Sequence, residues 1–187
     1  MITLLRRRLS AFRPTLSSNP DKRVCASVLI PIVEASAGVE IVLTRRTNTV
    51  KYHKGEVSFP GGVYEEDDGD TLKTAMRECS EEIGVRPEDV EVVGRLDDMN
   101  TFTGFVITPY VGIIPYPYAF RLNPGEVAYL IYLPLAFLLG CELQTESIEF
   151  QGRTVLAPAI YYEGERIWGA TCRILVQLRR IMTDETV

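Results

Sequence analysis

Residues Gly61–Val85 read GGVYEEDDGDTLKTAMRECSEEIGV, a glycine pair followed by an acidic turn and a helical pattern. Apolar residues recur at helical spacing along Thr71–Ile83, which predicts an amphipathic helix over these residues. Asp70 or Thr71 can cap its start, and Gly84 can end it. The predicted apolar face consists of Leu72, Ala75, Met76, Cys79 and Ile83, and the acids of this helix are expected to point away from the core.

The same helix carries Glu78, Glu81 and Glu82 at the spacing i, i+3 and i+4, which places them about one turn apart. Like charges at this spacing repel each other and destabilise a helix. Hard cations such as Mg²⁺ take oxygen ligands and are often shared with substrate phosphates. The pattern therefore predicts a carboxylate helix that binds a divalent metal for phosphate chemistry. The alternative is a solvated charged face, since glutamate is a good helix former.

A basic stretch precedes the acidic one, and it comprises Arg45, Arg46, Lys51, His53 and Lys54. Basic groups hold phosphate oxygens directly, while acids hold a metal that bridges to the same phosphates. The order of charges favours a metal and polyphosphate site, and a solvated basic loop is the alternative.

Two motifs resemble those of a known family. Gly62 and Arg77–Val85 are similar to the Nudix box, G-x5-E-x7-R-E-U-x-E-E-x-G-U, where U is aliphatic. Leu43–Gly62, LTRRTNTVKYHKGEVSFPGG, resembles the motif L-T-x-R-S-x-x-L-R-x-H-x-G-x-V-x-F-P-G-G of the coenzyme A diphosphatase branch. The segments 103–109, 123–127 and 167–171 resemble later landmarks of that branch.

The box departs from the family pattern at its centre. One residue more than the pattern separates Gly62 from the arginine of the box. Gly69 stands where the pattern, counted back from that arginine, has glutamate, and Cys79 replaces an aliphatic residue. Asp68 and Asp70 are both candidates to replace the missing acid.

The resemblance implies an α+β fold, the Nudix α/β/α sandwich with a mixed sheet. It also implies hydrolysis, with Mg²⁺ or Mn²⁺, of a diphosphate bond in a nucleoside diphosphate derivative. For the coenzyme A branch the products are 4′-phosphopantetheine and adenosine 3′,5′-bisphosphate. The alternatives are a Nudix diphosphatase for ADP-ribose, dinucleotides or nucleoside triphosphates, and a non-catalytic nucleotide-binding module.

Roles for the acids follow from these expectations. Glu78 and Glu82, at i and i+4, are the first choice as direct metal ligands. Glu81 either ligates the metal through a water molecule or is held by Arg77, one turn before it. A carboxylate must also accept a proton from the attacking water, and Glu81 and Glu126 are the candidates for this catalytic step.

Roles for the substrate-binding residues come from the basic motif and the glycine pair. Arg46, Lys51 and His53 fall on motif positions and are expected to bind the phosphates of the substrate. Gly61 and Gly62 would let the backbone approach metal or substrate closely.

The bulk properties are those of an ordinary globular chain of 187 residues with a net charge of −5, which argues against general nucleic-acid binding. A single domain at 21–187 is expected after an amphipathic or irregular N-terminal arm at 1–20. No apolar run approaches the roughly 18 residues of a membrane helix. Four scattered cysteines indicate buried thiols in a reducing, cytoplasmic compartment. The expected partner is a small nucleotide, and the sequence leaves a homodimer open.

The remaining elements mix strands and helices without βαβ regularity, which favours α+β over a Rossmann fold. A short helix is expected at Pro134–Leu139, a terminal helix at Gly169–Met182, and a hairpin that pairs Glu149–Gln151 with Thr154–Tyr162. Further strands are expected at Val24–Val33, Val39–Thr44, Gly55–Phe59, Val90–Arg95, Phe105–Ile114 and Ala128–Leu133.

Overall fold

A computed structural model describes residues 1–18, 22–150 and 152–184, without the side chains of Phe150 and Arg153. Within these ranges the chain forms helices and strands, with short 3₁₀ turns on either side of the second helix. The helices are α1 (Ile2–Ala11), α2 (Thr71–Ile83), α3 (Leu135–Gly140) and α4 (Gly169–Thr183). The strands are β1 (Val24–Ala35), β2 (Gly38–Arg46), β3 (Val57–Ser58), β4 (Gly61–Val63), β5 (Glu91–Arg95), β6 (Met99–Asn100), β7 (Phe105–Ile113), β8 (Val127–Pro134), β9 (Gln144–Phe150), β10 (Arg153–Tyr162) and β11 (Glu165–Ile167).

The larger sheet is mixed. Strands β1 and β7 run parallel along nine residue pairs, from Val24–Phe105 to Ile32–Ile113. The other described pairings are antiparallel, and they add β2, β3, β4, β5, β6 and β8 to this sheet. Strands β9, β10 and β11 form a separate antiparallel sheet. The architecture is the α+β sandwich expected from the resemblance.

Helices cover both faces of the larger sheet, and strand β1 shows why. Its side chains alternate, so that Ile30 and Ile32 join one buried cluster while Leu29 and Val33 join another. The first cluster also contains residues of α1, α3 and α4, and the second contains residues of α2. A strand buried on both faces reads as a near-continuous apolar run, as β1 does.

The N-terminal segment contributes to the core. Helix α1 places Leu5 and Leu9, at i and i+4, in the larger cluster, with exposures of 0% and 4%. Its residues Arg6 and Arg8 pair with acids elsewhere in the chain. The part of the predicted arm that forms α1 is therefore a packed layer. The division at 20 and 21, including the predicted arm end at Asn19-Pro20, lies outside the described residues and stays a prediction.

The predicted elements recur with shifted ends. Helix α2 has the predicted bounds, while the strand expected at Gly55–Phe59 shortens to β3. Strand β9 begins five residues before the predicted Glu149 and pairs with β10 from Phe150–Arg153 to Gln144–Ala159. Gln151, predicted to end that strand, lies outside the described residues.

The buried face of α2 differs from the predicted apolar face. Ala75, Cys79 and Ile83 are fully buried as expected, but Met76 is only partly buried. Glu82 lies on the buried side with 1% exposure. The expectation that all the acids point away from the core is therefore wrong for Glu82, because a residue three positions after Cys79 and seven after Ala75 shares their side of a helix.

Candidate active site

Glu82 is the most deeply buried acid of the site. One oxygen, Oε1, accepts a hydrogen bond of 3.3 Å from Nη1 of Arg46, while Oε2 is buried without a partner. Burial raises the pKa of Glu82 to about 8; Arg46 opposes this shift, and Glu126 and Glu78 add to it. A buried carboxylate with an unsatisfied oxygen is costly, so this oxygen is available to a ligand.

Glu78 lies against the glycine pair. Strand β4 places Gly61 and Gly62 beside Val28 and Ser27 of β1. A Cβ atom at Gly62 would lie 2.2 Å from Oε1 of Glu78, so a side chain at this position would push the carboxylate aside. Burial raises the pKa of Glu78, and the adjacent Arg77 opposes the shift. The structure thus brings Gly62 into contact with a predicted metal ligand, whereas Gly61 packs against Ser27 and Val28.

Glu126 comes to the same site from a loop. Backbone hydrogen bonds tie this loop to the end of α2, where the N–H of Asn123 donates to the carbonyl of Glu82 at 2.9 Å. Nδ2 of Asn123 donates to Oε1 of Glu126 at 3.2 Å, and Oδ1 of Asn123 accepts from Gly125. The role of Asn123 was not among the expectations, although Asn-Pro-Gly is a recognisable turn signal.

Arg77 connects the acidic turn to the helix. Its guanidinium donates to both oxygens of buried Asp68, at 2.8 and 3.2 Å, and Thr74 donates to the same carboxylate at 2.9 Å. Hydrogen bonding from Arg77 holds the pKa of Asp68 well below its usual range. Counted from Gly62, Asp68 is the sixth residue on, which is the place of the glutamate in the family pattern.

The second candidate for the missing acid has a different role. Asp70 caps α2 by accepting a hydrogen bond of 2.8 Å from the N–H of Lys73. Glu81 accepts from Nη1 of Arg77 at 3.2 Å, and its side chain is 55% exposed. Asp68 therefore pairs with the arginine of the box, and Glu81 has the orientation by Arg77 that was one of its two expected roles.

Strand β2 carries both arginines of the basic stretch and directs them to different partners. Arg45 pairs with Glu165 of β11 at 2.7 Å, while Arg46 contacts Glu82 of α2. The register of β2 against β8 shifts between these two residues. Arg46, expected to bind substrate phosphate, therefore lies beside a predicted metal ligand in this structure.

Lys51 and His53 lie on an exposed loop. Nδ1 of His53 lies 3.0 Å from a carboxylate oxygen of Glu56, and Nζ of Lys51 lies 5.1 Å from the centre of the Tyr52 ring. Within the described ranges, neither side chain is hydrogen-bonded to Glu78, Glu82 or Glu126. The loop is held to the Glu126 loop by Thr47, whose hydroxyl donates to the carbonyl of Gly125 at 3.0 Å.

The cysteines and the length of the helices bear on the expectations of buried thiols and of no membrane helix. Cys79 and Cys172 are buried, and burial raises the pKa of Cys172 to about 12, whereas Cys25 and Cys141 are partly buried. None of the helices within the described ranges has both the length and the apolar composition needed to cross a bilayer.

A model of the NUDIX domain family matches residues 23–136 of the chain. The chain is 35% identical over 173 residues to an uncharacterized Nudix hydrolase, NudL, of Citrobacter koseri, covering 91% of this chain and 89% of the relative. It is 36% identical over 163 residues to NudL of Pectobacterium atrosepticum, covering 85% of this chain and 83% of the relative.

Solved structures are similar in fold. The NUDIX domain of Shewanella oneidensis NrtR, complexed with ADP ribose, superposes with a TM-score of 0.56 at 16% identity, covering 93% of this chain and 96% of that one. The MutT protein of Methanosarcina mazei Go1 superposes with a TM-score of 0.56 at 15% identity, covering 95% and 100%. At sequence identities this low, the similarity shows a shared fold and nothing about activity.

Proposed function

Because this chain belongs to the Nudix hydrolase family, we propose that it hydrolyses the diphosphate bond of coenzyme A or an acyl-CoA with Mg²⁺ or Mn²⁺. The products would be 4′-phosphopantetheine, or its acylated form, and adenosine 3′,5′-bisphosphate. The observation that carries the proposal is Oε2 of Glu82, a buried oxygen without a hydrogen-bond partner. The carboxylates of Glu78 and Glu126 and the guanidinium of Arg46 act on the same side chain.

The donor set fits a divalent cation. Glu78 and Glu82 offer carboxylate oxygens, which hard cations prefer, and both are removed from bulk water. Among the described residues no three acidic, histidine or cysteine side chains are already grouped as a ligand set, and Arg46 and Arg77 hold the two glutamates instead. Glu78 and Glu82 would be the direct ligands, with Glu81 contributing through water. The bound cation would neutralise diphosphate charge and lower the pKa of a water molecule.

Glu126 is the favoured proton acceptor of the two candidates. It is partly buried and held by Asn123 close enough to Glu78 and Glu82 to influence their pKa values. Glu81 is more exposed and is engaged by Arg77. A base must lie within hydrogen-bonding reach of the attacking water, which favours a residue facing the other acids.

The basic motif supports coenzyme A as the substrate. Arg46, beside Glu82, would meet the diphosphate, and Lys51 and His53, on the exposed loop, would meet the 3′-phosphate of the adenosine. Ionised donors suit this task because their hydrogen bonds to phosphate are about twice as strong as neutral ones. The resemblance of Leu43–Gly62 to the coenzyme A branch is what selects this substrate over other nucleoside diphosphate derivatives.

The test is product analysis. Coenzyme A, dephospho-coenzyme A and ADP-ribose are incubated separately with the protein and Mg²⁺ or Mn²⁺, and products are separated by chromatography. Coenzyme A is expected to be cleaved with the highest kcat/KM. A preference for ADP-ribose would overturn the substrate and keep the diphosphatase chemistry. Cleavage of none of the three would favour a nucleotide-binding module.

We also propose a cytoplasmic location, which the buried thiols of Cys79 and Cys172 support because they suit a reducing compartment. A monomer and a homodimer are both compatible with the fold. Light scattering of the purified protein distinguishes them.

A further inference from the structure

The pair between Arg46 and Glu82 is incomplete on both sides. Only one hydrogen bond joins them, at 3.3 Å, although an arginine and a carboxylate can form two in parallel. Oε2 of Glu82 and Nε of Arg46 are both buried without a partner. A buried ion pair offsets the loss of hydration only when the remaining donors and acceptors are also satisfied.

The charges around Glu82 explain why an arginine is there at all. Glu78 and Glu126 both act on Glu82 with like charge, and Arg46 is the cation that opposes them. A buried carboxylate among other carboxylates keeps its charge only beside a positive neighbour such as Arg46, and otherwise takes up a proton. A divalent cation at these oxygens would supply that charge, and it would then repel the guanidinium.

We propose that Arg46 is a stand-in cation, which neutralises Glu82 in the metal-free protein and turns to the substrate diphosphate when the metal binds. The inference rests on the proposed metal site at Glu78 and Glu82. It makes Arg46 a residue that couples two binding events. The guanidinium of Arg46 would leave Glu82 when a divalent cation binds there, and it would then be free to bind the substrate diphosphate, so each ligand would strengthen the binding of the other.

The test measures Mn²⁺ affinity by electron paramagnetic resonance, without turnover. Arg46→Gln removes the competing cation and should tighten Mn²⁺ binding about 5-fold or more, the lower end of typical coupling between sites. Arg46→Lys keeps the charge and should retain the weaker affinity. The matched control is Arg45→Gln, whose side chain pairs with Glu165 rather than Glu82 and should leave Mn²⁺ affinity unchanged.

A second arm measures the coupling. The affinity for Mn²⁺ is measured again with α,β-methylene-ADP, a diphosphate with a non-hydrolysable bridge. Wild type should gain more Mn²⁺ affinity from this nucleotide than Arg46→Gln does. In a Glu82→Gln background the effect of Arg46→Gln should vanish, because a double-mutant cycle isolates the interaction of the two side chains.

The outcomes separate this inference from the proposed function. Unchanged or weaker Mn²⁺ binding by folded Arg46→Gln, with the fold checked by thermal melting, overturns the stand-in role. Mn²⁺ affinity that Glu82→Gln leaves unaltered overturns the metal site itself, and the stand-in role with it. Failure to cleave coenzyme A overturns only the substrate, since no binding measurement depends on hydrolysis.

Discussion

Two arginine–carboxylate pairs each have one member on helix α2, and they differ in the completeness of their hydrogen bonding. Arg77 donates to both oxygens of Asp68, which also accepts from Thr74 and from the N–H of Glu65. The pair of Arg46 and Glu82 has a single hydrogen bond and leaves a buried atom unpaired on each side. A fully hydrogen-bonded buried pair holds the local structure in place, whereas a buried polar atom without a partner needs an explanation, such as a catalytic role or a bound ion.

This difference assigns the pairs to different tasks. Asp68 and Arg77 tie the acidic turn to the helix, and Arg77 in turn orients Glu78 and Glu81. Glu82 and Arg46 face the other acids and the loop of Glu126. The first pair should therefore affect folding most when it is changed, and the second should affect binding and turnover.

The largest effect is expected from Glu82→Gln. It removes a charged metal ligand and keeps the shape, so turnover of the proposed substrate should fall by orders of magnitude while the fold survives. Steady-state kinetics measure the turnover, and thermal melting measures the stability of the fold. The matched control is Glu142→Gln, an exposed acid outside the site, which should leave both unchanged. Near wild-type turnover by Glu82→Gln at saturating Mg²⁺ would remove Glu82 from the metal ligands.

Asp68→Asn should reverse that pattern. Breaking a buried ion pair costs about 3–5 kcal/mol, so the free energy of unfolding in urea at pH 7 should fall by about that amount. Turnover of the folded variant should change far less than for Glu82→Gln. A loss of turnover without a loss of stability would mean that Asp68 belongs to the chemistry.

The effect of Asp68 also depends on pH. Its pKa is lower in the folded protein than the ordinary value of 3.8, so its contribution is present above pH 3.8 and is lost as pH falls toward the folded pKa. The difference in unfolding free energy between wild type and Asp68→Asn should therefore be constant from pH 7 to about pH 5 and shrink below about pH 4. A difference that grows on acidification would contradict this assignment.

Asn123→Asp tests the placement of Glu126. The substitution keeps an acceptor for the N–H of Gly125 and replaces the donor to Glu126 with a second carboxylate. Losing a hydrogen bond to a charged group costs about 1.5–3 kcal/mol, so kcat should fall about 10-fold or more. Asn123→Asp should also shift the pH profile of kcat, which a purely structural change would not. If the pH profile of kcat were unchanged, Asn123 would act only as a turn residue.

The smallest effect is expected at the exposed loop. Lys51→Gln should lower kcat/KM for coenzyme A a few-fold more than for dephospho-coenzyme A, since an exposed charge pair contributes about 0.2–1 kcal/mol. Lys54 lies on the same loop but not on a motif position. Lys54→Gln should therefore lower kcat/KM for the two substrates equally or leave both values unchanged. If Lys51→Gln lowered kcat/KM equally for coenzyme A and dephospho-coenzyme A, this lysine would not recognise the 3′-phosphate.

The sequence alone was sufficient for helix α2 and for the identity of its acids. The bounds Thr71–Ile83 and the stop at Gly84 follow from local rules of periodicity and capping, and the structure confirms them. Of the two candidate caps, Asp70 and Thr71, the structure has Asp70. Strands β1 and β7 were recognisable from their apolar runs for the same reason. The short length of β3 and the early start of β9 were harder to recognise from the sequence. The ends of these strands are set by pairing with another strand and not by the residues within them.

Only the tertiary structure decided which charges meet. The motif separates Arg46 from Arg45, but only the pleat of β2 shows that Arg45 points toward β11 and Arg46 toward Glu82. Likewise Asp68, rather than Asp70, meets Arg77, because the turn before α2 folds it back onto the helix. Burial and the choice of ionic partner depend on segments far apart in the chain, whereas the propensity to form a helix depends on the residues within it.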